Sequence, residues 1–312
     1  MNTSTKSTAQ KVRNIISEPK LFSKLVTFGA GHKVEAVYED SLSSGSSIGT
    51  VVGFHGSPGS HNDFKYIRDK LDVLGIRFIG LNYPGFNYTK RYAGQDSGNV
   101  ERQMYTNALL EKLDISGKIV YMGHSRGSEN ALQTAVENNA HGVVLINPIG
   151  LRAHRFISPQ SRLRRVVQLY DMLPKFLADI IIFQAYKRLG FRVTSSEECI
   201  SALRTMIRVM LDGQIPYIEK LNTSETKVLF LHAGNDHMME PEIMVEVLKI
   251  YKGLKEFKFE GDPNIEEVSK SFLNSGKGAS VLIEKDNHFQ NKSRADLISQ
   301  SIHVMLSSSS NK

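Results

Sequence analysis

The sequence predicts an α/β protein with a mostly parallel sheet flanked by helices, and three observations carry that expectation. Short, largely apolar runs, such as 50–54, 119–122 and 142–146, lack the period-two alternation of a half-exposed strand, as expected where both faces of a sheet are covered. Helix-compatible segments separate these runs, which calls for crossover connections between parallel strands. A strand, abrupt turn and helix, Lys118 to Asn130 (KIVYMGHSRGSEN), lies in the middle of that alternation.

Taken in order, Phe22 to Phe28 and Val34 to Tyr38 read as a hairpin joined by Gly29-Ala30-Gly31. Ser41 to Gly49 is a polar turn, and Thr50 to Phe54 a buried strand running into His55-Gly56-Ser57-Pro58-Gly59-Ser60. Asn62 or Asp63 caps a helix with Phe64, Ile67, Leu71 and Leu74 on one face, and Gly75 ends it. Ile76 to Leu81 is the next strand, closing in Asn82-Tyr83-Pro84-Gly85. Ser97 or Asn99 starts a helix through Leu113, and Ser128 to Val136 forms the helix after the central turn. Gly142 to Ile146 is another strand, ending at Asn147-Pro148.

The rhythm breaks at Leu151, where a largely helical, basic block begins that includes Arg162 to Leu173 and Lys175 to Leu189. Strand logic resumes at Lys227 to His232, followed by a helix from Pro241 to about Tyr251, with proline at the first helical position. Ser280 to Glu284 is a last strand and Arg294 to Met305 a last helix; Lys255 to Gly278 gives no readable pattern. The division expected is a polar tail at 1–20, a core of 21–150 and 223–306, a helical insertion at 151–222, and a tail at 307–312.

Composition narrows the class. Hydrophobic residues make up 40% and charged residues 23% of the 312, as in ordinary globular proteins. The lone cysteine, Cys199, excludes an internal disulfide and any multi-cysteine metal site, and mildly favours a reducing compartment. No apolar run approaches the ~20 residues of a membrane span. The N-terminal stretch is Ser/Thr-rich and basic with no acid before Glu18, faintly like a mitochondrial presequence, although a frayed tail and a cytoplasmic location are the first expectation. Residues 151–192 hold nine Lys/Arg against two Asp, a surplus equal to the whole chain's net charge of +7. The rest is balanced, which argues against a nucleic-acid binder. No metal and no cofactor is expected.

The central turn is where chemistry is sought. A serine at such a junction sits on a strained backbone with its Oγ lifted clear of the sheet, and Gly123 and Gly127 let strand and helix pass closely. A serine hydroxyl is a poor nucleophile alone, so a base, an acid and oxyanion donors are required. The order HGSPG, GHSRG, an acid after a late strand and a histidine near the C-terminus resembles the α/β-hydrolase superfamily, over about Thr50 to Met305. Within it the chain resembles an uncharacterised nematode-expanded family for which no substrate is implied.

That resemblance implies an α/β-hydrolase fold with a helical cap or lid at 151–222, and a triad of Ser125 as nucleophile, Asp236 as acid and His288 as base. Glu240 is the nearby alternative to Asp236. Asp286 and Glu284 lie too close in sequence to His288 for a side-chain bond of the needed geometry. His61, His124 and His303 read as ordinary polar positions. The backbone N–H of Arg126 is one expected oxyanion donor, and by resemblance that of Ser57 is the other, with His55 and Gly56 as supporting loop residues. Bland readings stand beside these: Ser125 as a helix N-cap, Asp236 as a turn residue before Pro241, and GSPGS as a plain turn. HGSPGS and NYPG are also similar to epoxide hydrolases, but those use an aspartate nucleophile.

The chemistry expected is acyl transfer to Ser125 and then to water, on an ester, thioester or amide, carboxylesterase- or lipase-like first. The alternatives are a catalytically silent hydrolase-fold binding protein and an epoxide-hydrolase-related enzyme with altered chemistry. The 151–222 block suggests an apolar tunnel with a basic rim for a lipid-like or anionic acyl compound, or peripheral contact with an anionic membrane, against simply solvated arginines. The Arg126 side chain either narrows the site or contacts an anionic substrate; the oligomeric state stays open.

Overall fold

The computed structural model describes residues 18–273 and 276–308. The tail expectations at 1–17 and 309–312 lie outside them. Nine strands form one sheet in the order β1-β2-β4-β3-β5-β6-β7-β9-β8. The strands are β1 (Leu21–Phe28), β2 (His32–Asp40), β3 (Thr50–Phe54), β4 (Arg77–Leu81), β5 (Ile119–His124), β6 (Gly142–Ile146), β7 (Lys227–Ala233), β8 (Lys255–Phe259) and β9 (Gly278–Ile283). β1 and β2 pair antiparallel, as does β2 with β4, and every other pairing is parallel. The parallel strands therefore all end at the same edge of the sheet.

Successive side chains of a strand face opposite sides, and in this sheet both sides are covered. Val143, Leu145, Val228 and Phe230 point into one core, under α2 (Asn99–Leu113), α3 (Ser128–Glu137), α7 (Ile215–Thr223) and α8 (Pro241–Leu248). Val144, Ile146, Leu229 and Leu231 point into the other, under α1 (Lys65–Val73), α9 (Ile265–Lys270) and α11 (Ala295–Ser307). Fully burying such a side chain contributes about 1.5–3 kcal/mol, so the two-sided run is what holds each strand in the sheet. The short α10 (Gln290–Ser293) precedes α11.

Between β6 and β7 come α4 (Gln160–Met172), α5 (Lys175–Arg188) and α6 (Ser196–Met206). They share a small core of their own, built on Ile182, Val193, Cys199, Ile200 and Leu203. α6 is the inner helix. Ala202 O accepts from Ser57 Oγ at 3.4 Å, and Thr205 O accepts from Arg126 Nε at 3.3 Å. Ser195 caps α6 by accepting from Glu198 N. Among the described residues, no helix is long and apolar enough to cross a membrane.

The stretch without a readable pattern, 255–278, contains edge strand β8 and helix α9. β8 is Lys-Glu-Phe-Lys-Phe and buries only Phe257, so it lacks the apolar run of its neighbours. Charged side chains on an edge strand also keep it from pairing with another chain.

Candidate active site

β5 leads straight into Ser125, whose φ is +50°. A non-glycine residue in this left-handed region is strained by about 1–3 kcal/mol and persists only where surrounding structure enforces it. The enforcement here is close packing. A Cβ at Gly127 would meet Phe54 O at 2.0 Å, and one at Gly123 would meet Ser128 Cα at 2.6 Å, so neither position tolerates a side chain. Ser125 is not the N-cap of α3; that position is Gly127, and no side chain caps the helix. Ser128 Oγ instead accepts from Ile149 N at 3.0 Å, tying the helix start to the loop after β6.

Asp236 and His288 follow the ends of β7 and β9, adjacent parallel strands. His288 Nδ1 bonds to Asp236 Oδ2 at 2.7 Å, with both side chains nearly buried. An ionised Asp236 accepts, so the ring proton sits on Nδ1 and Nε2 is left as the basic nitrogen. Asp236 Oδ1 accepts from Met238 N and Met239 N at 2.8 and 3.0 Å, so the aspartate also makes the turn foreseen for it. Asn147 Nδ2 adds a 3.2 Å bond to Asp236 Oδ2. Burial pushes the Asp236 carboxyl up, but the His288 bond and the two N–H groups outweigh it and hold the group below the usual carboxylate range. Burial and the neighbouring His124 push His288 down against the pull of Asp236, which keeps the imidazole neutral.

No hydrogen bond joins the Ser125 hydroxyl to His288 among the described residues. The two are brought near each other through His124, the residue before the serine. Its Nε2 lies 3.0 Å from His288 O, and its ring centroid 5.1 Å from that of His288. His124 is thus not the ordinary polar position expected: it holds the backbone of His288. Glu240 accepts from Arg155 N, and Asp286 is taken up by Arg294, at 2.7 Å from both Nε and Nη2. His61 bonds Asn82 Oδ1.

The glycine loop lies against the serine. A Cβ built on Gly56 would come within 3.4 Å of Ser125 Cβ. Tyr83 N donates to His55 Nε2 at 3.2 Å, so His55 Nδ1 carries the proton that meets Gly56 O at 2.7 Å. Asp63 Oδ2 accepts from Gly56 N at 3.1 Å. The Ser57 N–H has no acceptor among the described residues, and its hydroxyl points to α6.

Neither expectation for the Arg126 side chain holds. It is fully buried, pairs with Glu129 at 2.5 Å and bonds Thr205 O, so it faces α6 and cannot reach solvent. Burying a guanidinium is costly unless it is paired, and Glu129, also fully buried, is that partner. Sequence reading also missed Asn147, Asp63 and Glu129. Asn147, at the strand end before Pro148, was the most visible of them.

Over residues 18–307 the chain matches, and belongs to, the family described as alpha/beta hydrolase of unknown function (DUF1057). A protein of Caenorhabditis elegans is 29% identical over 283 residues, covering 85% of this chain and 79% of that one. The fold is similar to a thermophilic esterase from Thermogutta terrifontis, with a TM-score of 0.62 and 18% identity over 90% of this chain and 96% of that one. It is also similar to an esterase from Exiguobacterium antarcticum, with a TM-score of 0.61 and 16% identity, covering 92% of this chain and 100% of that one. The haloalkane dehalogenase DatA from Agrobacterium tumefaciens superposes with a TM-score of 0.62 at 14% identity, covering 92% and 96%. At these identities the likeness is one of fold.

Proposed function

We propose that this α/β hydrolase is a serine hydrolase that cleaves an ester, thioester or amide through an acyl-enzyme on Ser125. The observation that carries the proposal is the buried His288–Asp236 bond at 2.7 Å beside a serine held at φ +50°. His288 Nε2 would take the hydroxyl proton as Ser125 attacks and return it to the leaving group, while Asp236 stabilises the imidazolium. The N–H groups of Ser57 and Arg126 would receive the oxyanion, and water would then release the acyl group. A serine in the nucleophile position disfavours epoxide opening, where the attacking group is an aspartate carboxylate. Helices α4, α5 and α6 would act as the cap that shapes the acyl pocket.

The test is labelling of the full chain with a fluorophosphonate, expected for the parent and lost in Ser125→Ala. A panel of p-nitrophenyl esters of rising chain length would then report the depth of the pocket. A second reading, a binding protein with an unused triad, is favoured by the missing Ser125–His288 bond. Such bonds are often long in unliganded enzymes and tighten with substrate. A correctly folded parent that neither labels nor turns over any ester would establish that second reading.

A further inference from the structure

The outer helices α4 and α5 present an unusual face. Of the twenty large apolar side chains that are exposed among the described residues, ten lie within residues 151–192. α4 buries no residue at all; its Leu163, Val167 and Tyr170 only partly pack inward. The exposed set gathers at the turn between the two helices: Leu169 and Met172 end α4, and Phe176, Leu177, Ile180 and Ile181 form one stripe at the start of α5, 41–81% exposed. Tyr170 Oη, bonded to Asp179 Oδ1 at 2.6 Å, stitches that turn.

Basic residues occupy the opposite ends of the same helices. Arg162, Arg164 and Arg165 open α4, and Lys187, Arg188 and Arg192 close or follow α5. All six are exposed, and none pairs with a carboxylate among the described residues. The two aspartates of this stretch are already engaged, Asp171 with Arg204 and Asp179 with Lys175. The result is an apolar tip with an unneutralised cationic base.

We propose that this face docks on an anionic lipid bilayer, with the α4–α5 tip entering the headgroup boundary and the arginines and lysines meeting the lipid phosphates and carboxylates. Charge complementarity selects the occupant. A second copy of the chain would set one cationic face against another, which like-charge repulsion opposes. Residues 1–17 carry Lys6, Lys11 and Arg13 and no acid, so they do not complement it either. Nucleic acid would neutralise the charge but gives no return for exposed aliphatic side chains, since it is bound by base stacking and phosphate contacts. An apolar tip with basic flanks is what an interfacial element requires.

The experiment is co-sedimentation of the full chain with vesicles of phosphatidylcholine alone and of phosphatidylcholine containing phosphatidylserine. Binding is expected only to the second, and to fall as salt is raised and screening sets in. The triple change Arg162→Glu, Arg164→Glu, Arg165→Glu should lower partitioning on the order of 100-fold, from roughly fivefold per surface cation. Phe176→Ser with Ile180→Ser should also weaken binding, while leaving its salt dependence in place. These side chains are exposed, and an unchanged thermal melt verifies each variant. Equal binding to both vesicle types, or none to either, overturns the proposal. So does a stable dimer abolished by Phe176→Ser with no lipid binding, which would assign the face to a second copy. Fluorophosphonate labelling is independent of all these outcomes, so a failure here is distinguishable from a failure of the serine hydrolase reading.

Discussion

Asp236 does two jobs with two oxygens. Oδ1 closes its own turn on Met238 and Met239, and Oδ2 fixes the tautomer of His288. Asp236→Asn would keep the turn but present an amide where the ring N–H must find an acceptor, favouring the wrong tautomer. On the serine hydrolase reading, kcat should fall by about 10,000-fold with little change in KM, as a p-nitrophenyl ester assay would measure. Because burial depresses His288 below its ordinary value, the acid limb of the parent's pH–rate profile should lie below about pH 6.5. Activity is lost on the acid side, where the imidazole is protonated and cannot accept. The roles of Ser125, Asp236 and His288 were open to proposal from motif order, because each follows an apolar strand with turn residues. His124 and Asp63 were not, since their work is to hold other backbones, and no spacing marks that.

At the level of elements, the join between α6 and α3, the helix after Ser125, rests on Glu129. Its Oε2 pairs with Arg126, and its Oε1 accepts from Met210 N and Leu211 N at 2.8 and 3.2 Å. Arg102 lies in the same buried patch, bonded to Asn130 and Thr205, with burial pushing its guanidinium down to about 10. Arg126 pairs with the Glu129 carboxylate directly, and Arg102 feels it at longer range. Glu129→Gln would leave the buried Arg126 without its paired countercharge at almost unchanged shape, which should cost about 3–5 kcal/mol, read as a drop in the urea midpoint. The core strands were legible because a strand buried on both faces writes a continuous apolar run. β8 and α9 were not, being short, charged and peripheral. Within 151–222, α4 and α5 were visible as helices, whereas α6 and α7 were not read individually. Which helix lies inside was not legible either, because α6 (SEECISALRTM) looks more polar than the outward α5 (KFLADIIIFQAYKR). The apolar character of α5 reflects a surface, so pattern alone inverts the order of burial.

For the molecule as a whole, three histidines, His55, His154 and His232, are buried with their pKa values lowered by desolvation to about 4. Unfolding returns each to its ordinary value near 6.5, so below that pH the unfolded chain binds more protons than the folded one. Stability is complete above that point and is lost as pH falls toward 4. The slope should approach roughly 1.4 kcal/mol per pH unit for each histidine. Urea midpoints should therefore drop between pH 7.5 and 5; a flat profile would show that these rings find proton-accepting partners. Asp236 and His288 are 52 positions apart in the chain, and Ser125 directly follows β5, a strand two places from β7 in the sheet. On the serine hydrolase reading, a reactive serine accordingly exists only when β5, β6, β7 and β9 have all aligned. Covalent capture at that hydroxyl would thus be a census of completed molecules, blind to any collapsed intermediate that has formed its helices but has yet to zip the far half of the sheet.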